Sequence, residues 1–192
     1  MAYSSCAGTI SAGIQPDCSK PLAGGLTGRA LLVPLSPAPT FTVNSTNSLI
    51  IEAISMPSGA KMVAVENFGE QPFNGTNSAS TADGAVQKHT KTVVFDIPLR
   101  GADASKKIVD PLTRLARGFL VIYERRDGKY IVVGYENALR VNADGVSMDE
   151  YTKDGVTTIT ASCTQYNYEY ELYDTNAATT QALFEAYLAA TV

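Results

Sequence analysis

From residue 29 onward the chain is built of short apolar and β-rich runs cut by proline and by clusters of Gly, Asn and Ser. Arg29 to Val33, Phe41-Thr42-Val43, Ser48 to Ile54 and Ala60 to Glu66 are such runs, and Pro34, Pro37 and Pro39 punctuate the first of them. Val86 to Leu99 alternates in its second half and closes at a proline, which predicts a long strand. Phe119 to Tyr135 predicts a hairpin. Phe119, Val121 and Tyr123 alternate with Leu120, Ile122 and Glu124, so the first strand is apolar on both faces over most of its length and is expected at the centre of a sheet. Asp127-Gly128 then supplies a two-residue turn of the I′ kind, and Lys129 to Tyr135 returns antiparallel.

Asp144-Gly145 and Asp154-Gly155 predict two further turns, followed by the Thr-rich strand Val156 to Ser162. Gln165 to Tyr173 has a period of two, which places Tyr166, Tyr168 and Tyr170 on one face of a strand and Asn167, Glu169 and Glu171 on the other. A helical period appears in two places. Asp110 to Gly118 has an Asp able to cap, Pro111 at the first helical position, Arg114 and Arg117 late, and a glycine stop. This predicts a helix over 110–117 that packs Leu112, Leu115 and Ala116 on the sheet. Near the end, Thr179 or Thr180 is placed to cap a helix with Leu183, Phe184, Tyr187 and Leu188 on one stripe. The pattern therefore predicts a mainly β fold of antiparallel strands with one short internal helix and one C-terminal helix. It has no βαβ rhythm and no solenoid repeat.

Two stretches fall outside this pattern. Residues 1–28, rich in Ser, Gly, Pro and Ala, cannot pack a core alone and read as an arm, either disordered or ordered by a neighbouring subunit. Residues 68–84 have few large apolar side chains and predict a long loop. The domain organisation expected is thus an arm over 1–28 and one β domain over 29–192.

Composition narrows the classes of function. With 192 residues, 45% of them hydrophobic and 18% charged, the chain has the material for one well-packed domain. Its 15 scattered basic residues and net charge of −4 argue against an extended basic face for nucleic acid. No apolar run approaches the ~20 residues of a membrane span, and the N-terminus lacks the pattern of a signal peptide, so a cytosolic chain is expected. Cys6, Cys18 and Cys163 have neither disulfide-framework nor zinc spacing and read as free thiols.

Few of the remaining residues are of the types that carry catalysis. His89, the sole histidine, lies between Lys88 and Thr90 and reads as a solvated strand residue. Gly24 to Gly28 precedes a strand and not a helix, which argues against a phosphate cradle. Asp149-Glu150 and the pair Glu169 and Glu171 are the only candidates for paired carboxylates, and both read as solvated turn or strand positions. The aspartates at 144 and 154 lack the ligand series of a calcium loop. No catalytic, cofactor or metal site is expected, and hence no enzyme. The tyrosine row has two readings: a packed core or subunit contact, or a platform on which sugars or bases stack.

In its order and pattern the chain resembles structural proteins of tailed bacteriophages, in particular tail-tube-like and head-to-tail ring proteins of phages infecting gut Bacteroidota. The resemblance is carried by the Ser/Gly-rich start around Cys18 to Leu26, the loop at 68–84, the helix at 110–117 and the hairpin at 119–136. Tyr135-Glu136-Asn137-Ala138-Leu139, followed by an Asp-Gly turn and the strand Val156 to Ala161, adds to it. It implies a β-sandwich or half-barrel whose strands join copies of the chain into a sixfold or twelvefold ring around a DNA channel. DNA would pass through without specific binding. It further implies residues 68–92 reaching under the adjacent subunit, an outer helix at 110–117, neighbouring tail or connector proteins as partners, and location in the virion after assembly in the host cytoplasm. An acidic chain suits a channel that must not grip phosphates. The competing expectation is a monomeric β-sandwich module that binds carbohydrate or protein through Tyr166, Tyr168 and Tyr170.

Overall fold

The structure, a computed structural model, describes residues 26–66, 73–80, 88–97, 102, 105–149 and 156–190. Eleven strands occur among them: β1 (Leu26–Pro34), β2 (Thr40–Val43), β3 (Ile50–Ser55), β4 (Val63–Glu66), β5 (Phe73–Ser80), β6 (Lys88–Ile97), β7 (Phe119–Arg125), β8 (Tyr130–Val133), β9 (Arg140–Asp149), β10 (Val156–Gln165) and β11 (Tyr170–Leu172). The helices are α1 (Asp110–Thr113), preceded by a π-helical turn over Ser105–Val109, and α2 (Ala177–Ala189). The strands form a seven-stranded sheet in the order β2-β3-β11-β8-β7-β1-β4 and a four-stranded sheet in the order β5-β6-β10-β9. The fold is mainly β, as the pattern predicts, and neither sheet closes into a barrel. One pairing departs from an all-antiparallel scheme: β11 runs parallel to β3, Glu171 opposite Ile50.

The larger sheet is apolar on both faces and is covered on both. On one face Ala30, Leu32, Phe119, Val121, Ile131 and Val133 pack against Val93, Phe95, Ile159, Ala161 and Cys163 of the smaller sheet. On the other, Leu31, Val33, Leu120, Ile122, Tyr130, Val132 and Leu172 pack with Phe184, while Leu183, Tyr187 and Leu188 of α2 lie against them. The result is three layers: sheet, sheet, helix. An ion-pair network fixes the helix to its face. Glu124, 9% exposed, accepts from Arg29 Nε (3.0 Å), Thr27 Oγ1 (2.9 Å) and Tyr130 OH (3.2 Å), and Arg29 reaches on to Glu185 of α2.

Several expectations are corrected. The hairpin forms, but its loop spans three residues. Gly128 N donates to Arg125 O, Arg125 N donates to Lys129 O, and Gly128 takes the left-handed φ of 79°. This is a type I turn closed by a left-handed glycine, which fits the strand twist as well as the I′ turn expected. Asp144-Gly145 is not a turn but lies inside β9 at a bulge, where the register to β10 shifts between Ile159 and Ala161. A Cβ at Gly145 would run into the Thr160 carbonyl, so the glycine permits a close backbone approach. Part of the expected loop at 68–84 is strand β5, paired along its whole length with β6. Its short polar residues gave no strand signal, whereas backbone pairing needs none. β1 begins at Leu26, inside the expected arm; residues 1–25 lie outside the described residues, as do Asp154 and Gly155.

The internal helix is shorter than 110–117. Asp110 does not cap it, since Val109 occupies the N-cap in helical conformation with no side-chain bond, and Ala116 is exposed while Leu112 and Leu115 pack inward. In α2 the cap is Asn176, which accepts from Thr179 N while Thr179 Oγ1 accepts from Asn176 N, so Thr179 completes the capping box without being the cap. The stripe of Leu183, Phe184, Tyr187 and Leu188 faces the sheet as expected.

Phe184, fully buried with its ring 4.6 Å from that of Tyr130, is the helix's main anchor. Phe184→Ala is expected to cost about 3–5 kcal/mol in chemical denaturation, with β-sheet circular dichroism retained; a loss below 1 kcal/mol, on the scale of the least sensitive core sites, would contradict this placement.

Candidate functional site: the turn between the two sheets

The chain passes from the smaller sheet to the larger one between β10 and β11, and there the expected tyrosine strand is broken. β10 ends at Gln165, residues 166–169 turn, and β11 starts at Tyr170. Tyr166 and Tyr168 are 54% and 55% exposed while Tyr170 is 4% exposed, so the three do not share a face. The cause is a carboxylate that period-two reasoning did not identify. Glu136, just beyond β8, accepts from the backbone N–H groups of Tyr166 and Asn167, from Asn167 Nδ2 (2.5 Å) and from the Tyr170 hydroxyl. Each amide it captures is lost to a strand ladder. Asn137 Nδ2 donates to Thr164 O (2.5 Å), and buried Gln165 accepts from Gly134 N and donates to Asn167 O (3.1 Å). The Tyr135-Glu136-Asn137 stretch is therefore a clamp on the crossover. Its signal in the sequence was polar residues directly after the glycine that ends β8.

Basic side chains of β6 meet the two exposed tyrosines of the turn in two separate contacts. Lys88 Nζ lies 5.4 Å from the ring centroid of Tyr166 and Lys91 Nζ 4.0 Å from that of Tyr168, both cation–π contacts. His89, half-buried and not simply solvated, sets its ring edge-on to Tyr168 at 5.4 Å. Lys91 is 5% exposed and sits opposite Cys163 in the β6–β10 register. Burial lowers the Lys91 pKa, with Glu169 and Cys163 pulling it back. Burial also pushes the Cys163 thiol up to about 11, only partly offset by Lys91, so the thiol is protonated and unreactive at neutral pH.

Glu169 and Glu171 do come together, lining one cavity of about 200 Å3 with Asn47, Leu49 and Ile131. Each is neutralised there, Glu169 by Arg125 at 3.6 Å and Glu171 by Lys129 at 3.4 Å, which leaves neither in the environment of a general acid. Glu150 and the side chain of Asp149 lie outside the described residues, as do Cys6, Cys18 and Gly24. Among the described residues no group of His, Cys, Asp and Glu could hold a metal ion, and no helix is long and apolar enough to cross a membrane. At the far end of the sandwich an apolar groove of about 120 Å3 is lined by Leu32, Val63, Ile108, Leu112, Leu115 and Phe119. The chain matches no family model, curated protein or solved structure with which it was compared.

Two predictions follow from the clamp chemistry. Burial alone would raise the Glu136 pKa, yet the donors from Tyr170, Tyr166 and Asn167 outweigh it and hold the carboxyl below its ordinary value. Its stabilisation is therefore present above the unfolded pKa and lost as pH falls through the folded one. Glu136→Gln is expected to cost about 1–3 kcal/mol at neutral pH, with the gap to wild type closing in acid; a pH-independent gap in urea denaturation would contradict it. Tyr123, Tyr130 and Tyr170 are each pushed up to about 12, foremost by burial and, for Tyr170, next by Glu136. Unfolded phenols ionise first, so stability should be full below the ordinary phenol pKa and fall as pH rises through the folded values. An alkaline absorbance titration should show a late group of phenols released together with unfolding.

Proposed function

We propose that this chain is a non-enzymatic structural subunit of a tailed-phage virion, closing into a homo-oligomeric ring of the tail tube or head-to-tail connector around the DNA channel. The observation that carries the reading is the direction of the edge strands. Following the pairings across the larger sheet, β2 points up, β3 and β11 down, β8 up, β7 down, β1 up and β4 down. The two rims are thus opposite in direction. A second copy brought alongside by rotation about an axis along the strands meets β4 with β2 antiparallel, in the more stable kind of pairing. The smaller sheet has the same property, β5 and β9 being its opposed rims. Such a contact is head-to-tail, and closed repetition of it makes a ring that leaves no free edge.

Two further features support the reading. β2 and β4 carry neither proline nor lysine, two of the residues that commonly blunt an edge. Beyond Lys88 at its start, the outer face of β6 and β10 carries Thr90, Thr92, Val94, Thr160, Ser162 and Thr164, uncharged side chains that offer little for DNA phosphates to be gripped by. The resemblance to phage ring proteins supplies the biological setting, the virion. A second reading, a monomeric binding module, is favoured by the exposure of Tyr166 and Tyr168, though the buried Tyr170 shortens its platform to two rings.

Val63, on rim strand β4, is 45% exposed. Val63→Lys should leave stability within about 0.5 kcal/mol of wild type while placing a charge in the proposed seam. Electron microscopy of purified wild type is expected to show rings or short tubes, and of Val63→Lys single subunits. Rings that persist in the variant would remove β4 from the seam.

A further inference from the structure

We propose that each copy in the ring seats Leu49, on the turn between β2 and β3, in the apolar groove beside Val63 of the next copy. The inference rests on the ring reading and names the contact that would hold its seam. Its first support is the level of the two features in the larger sheet. Followed across the ladders, Val65 of β4 stands opposite Ala30, then Tyr123, Ile131, Glu171 and Ile50, and Asn44 N donates to Ile50 O. Asn44 is thus level with Val65, so β2, which ends at Val43, lies lower on its rim than β4 does on the opposite one. A neighbour set alongside without a shift along the strands meets Glu66 with Val43, and the rest of β4 with the turn over 44–49. Leu49, one place up the chain from Ile50, is level with Ala64 and next to Val63.

The second support is chemical fit on one face. The groove, about 120 Å3, is lined by Leu32, Val63, Ile108, Leu112, Leu115 and Phe119, with no charged side chain. An apolar cavity of about 150 Å3 takes a benzene ring, so this groove has room for the isobutyl group of a leucine. Leu32 and Phe119 belong to the face that meets the smaller sheet, and Leu49 lines its own cavity together with Ile131 of that same face. Leu49 and Val63 are 36% and 45% exposed in the single chain. Either alone is ordinary for a surface. A knob and a hole at one level on opposite rims are what a head-to-tail contact requires, because its two surfaces differ. The knob is also held in advance. Asn44 Oδ1 accepts from the N–H groups of Thr46 and Asn47, both at 2.9 Å, and Asn47 Oδ1 from Leu49 N at 3.1 Å. A turn fixed before association gives up little entropy on docking.

The test is light scattering of the full chain over a concentration series, joined to cross-linking of mixed variants. Leu49→Ala should raise the concentration at which assemblies form on the order of tenfold, and Leu49→Met should leave it near that of wild type, both with unfolding transitions unchanged. In chains carrying Cys6→Ser and Cys18→Ser, a short bis-maleimide should join Leu49→Cys to Val63→Cys when the two variants are mixed, and neither variant to itself. Wild type that stays a single chain at every concentration would end the ring reading and this contact with it. Wild-type assembly matched by Leu49→Ala, or cross-links that are absent or form only within one variant, would overturn the contact and leave the ring reading standing.

Discussion

The larger sheet is apolar on both of its faces, and the rest of the fold answers that constraint. In β1 and β7 every other residue faces each way, with Ala30, Leu32, Phe119 and Val121 on one side and Leu31, Val33, Leu120 and Ile122 on the other, all of them buried. A sheet with water on either face would expose one of these sets, at about 25 cal/mol per Å2 of apolar surface. Two covers are therefore required. The four-stranded sheet provides one, and α2 the other through Phe184 and its neighbours. The ion pairs from Glu124 through Arg29 to Glu185 add orientation to this apolar contact.

Having two covers obliges the chain to change sheets, and the crossover at 166–169 is where it does so late in the fold. The turn forfeits ladder bonds that a continuous tyrosine strand would have made. Glu136, Asn137 and Gln165 offset that loss with side-chain bonds from both sheets. Polar groups placed this way must be satisfied as a set, because a buried group left unpaired costs more than its bond returns. Among the described residues, no buried side-chain polar atom lacks a partner. The tightness of the clamp is also what leaves Tyr166 and Tyr168 outside.

Much of the fold was legible in the sequence wherever burial and period coincide. The two-faced apolar run Phe119 to Ile122 marked a central strand, and the stripe through Leu183, Phe184, Tyr187 and Leu188 marked the helix that covers it. What was not legible depends on backbone pairing or on distant partners. β5, with the sequence FNGTNSAS, is a strand because β6 lies beside it. Asp144-Gly145 carries a turn signature, yet the close approach of the Thr160 carbonyl makes it a bulge. The tyrosine row has a strand's period, but Glu136, thirty residues earlier than Tyr166, captures its amides. The lysines behind Tyr166 and Tyr168 come from β6, and no local pattern links them to the turn.

The proposed ring rests on one feature of the described residues: the strands at the two edges of each sheet run in opposite directions, so that a second copy set alongside would meet each edge antiparallel. The most direct test is the mass of the wild-type chain in solution, by light scattering on a sizing column over a wide concentration series. The account predicts a discrete species at an integral multiple of 20.4 kDa that grows at the expense of the single chain as concentration rises. A mass of one chain at every concentration would contradict it.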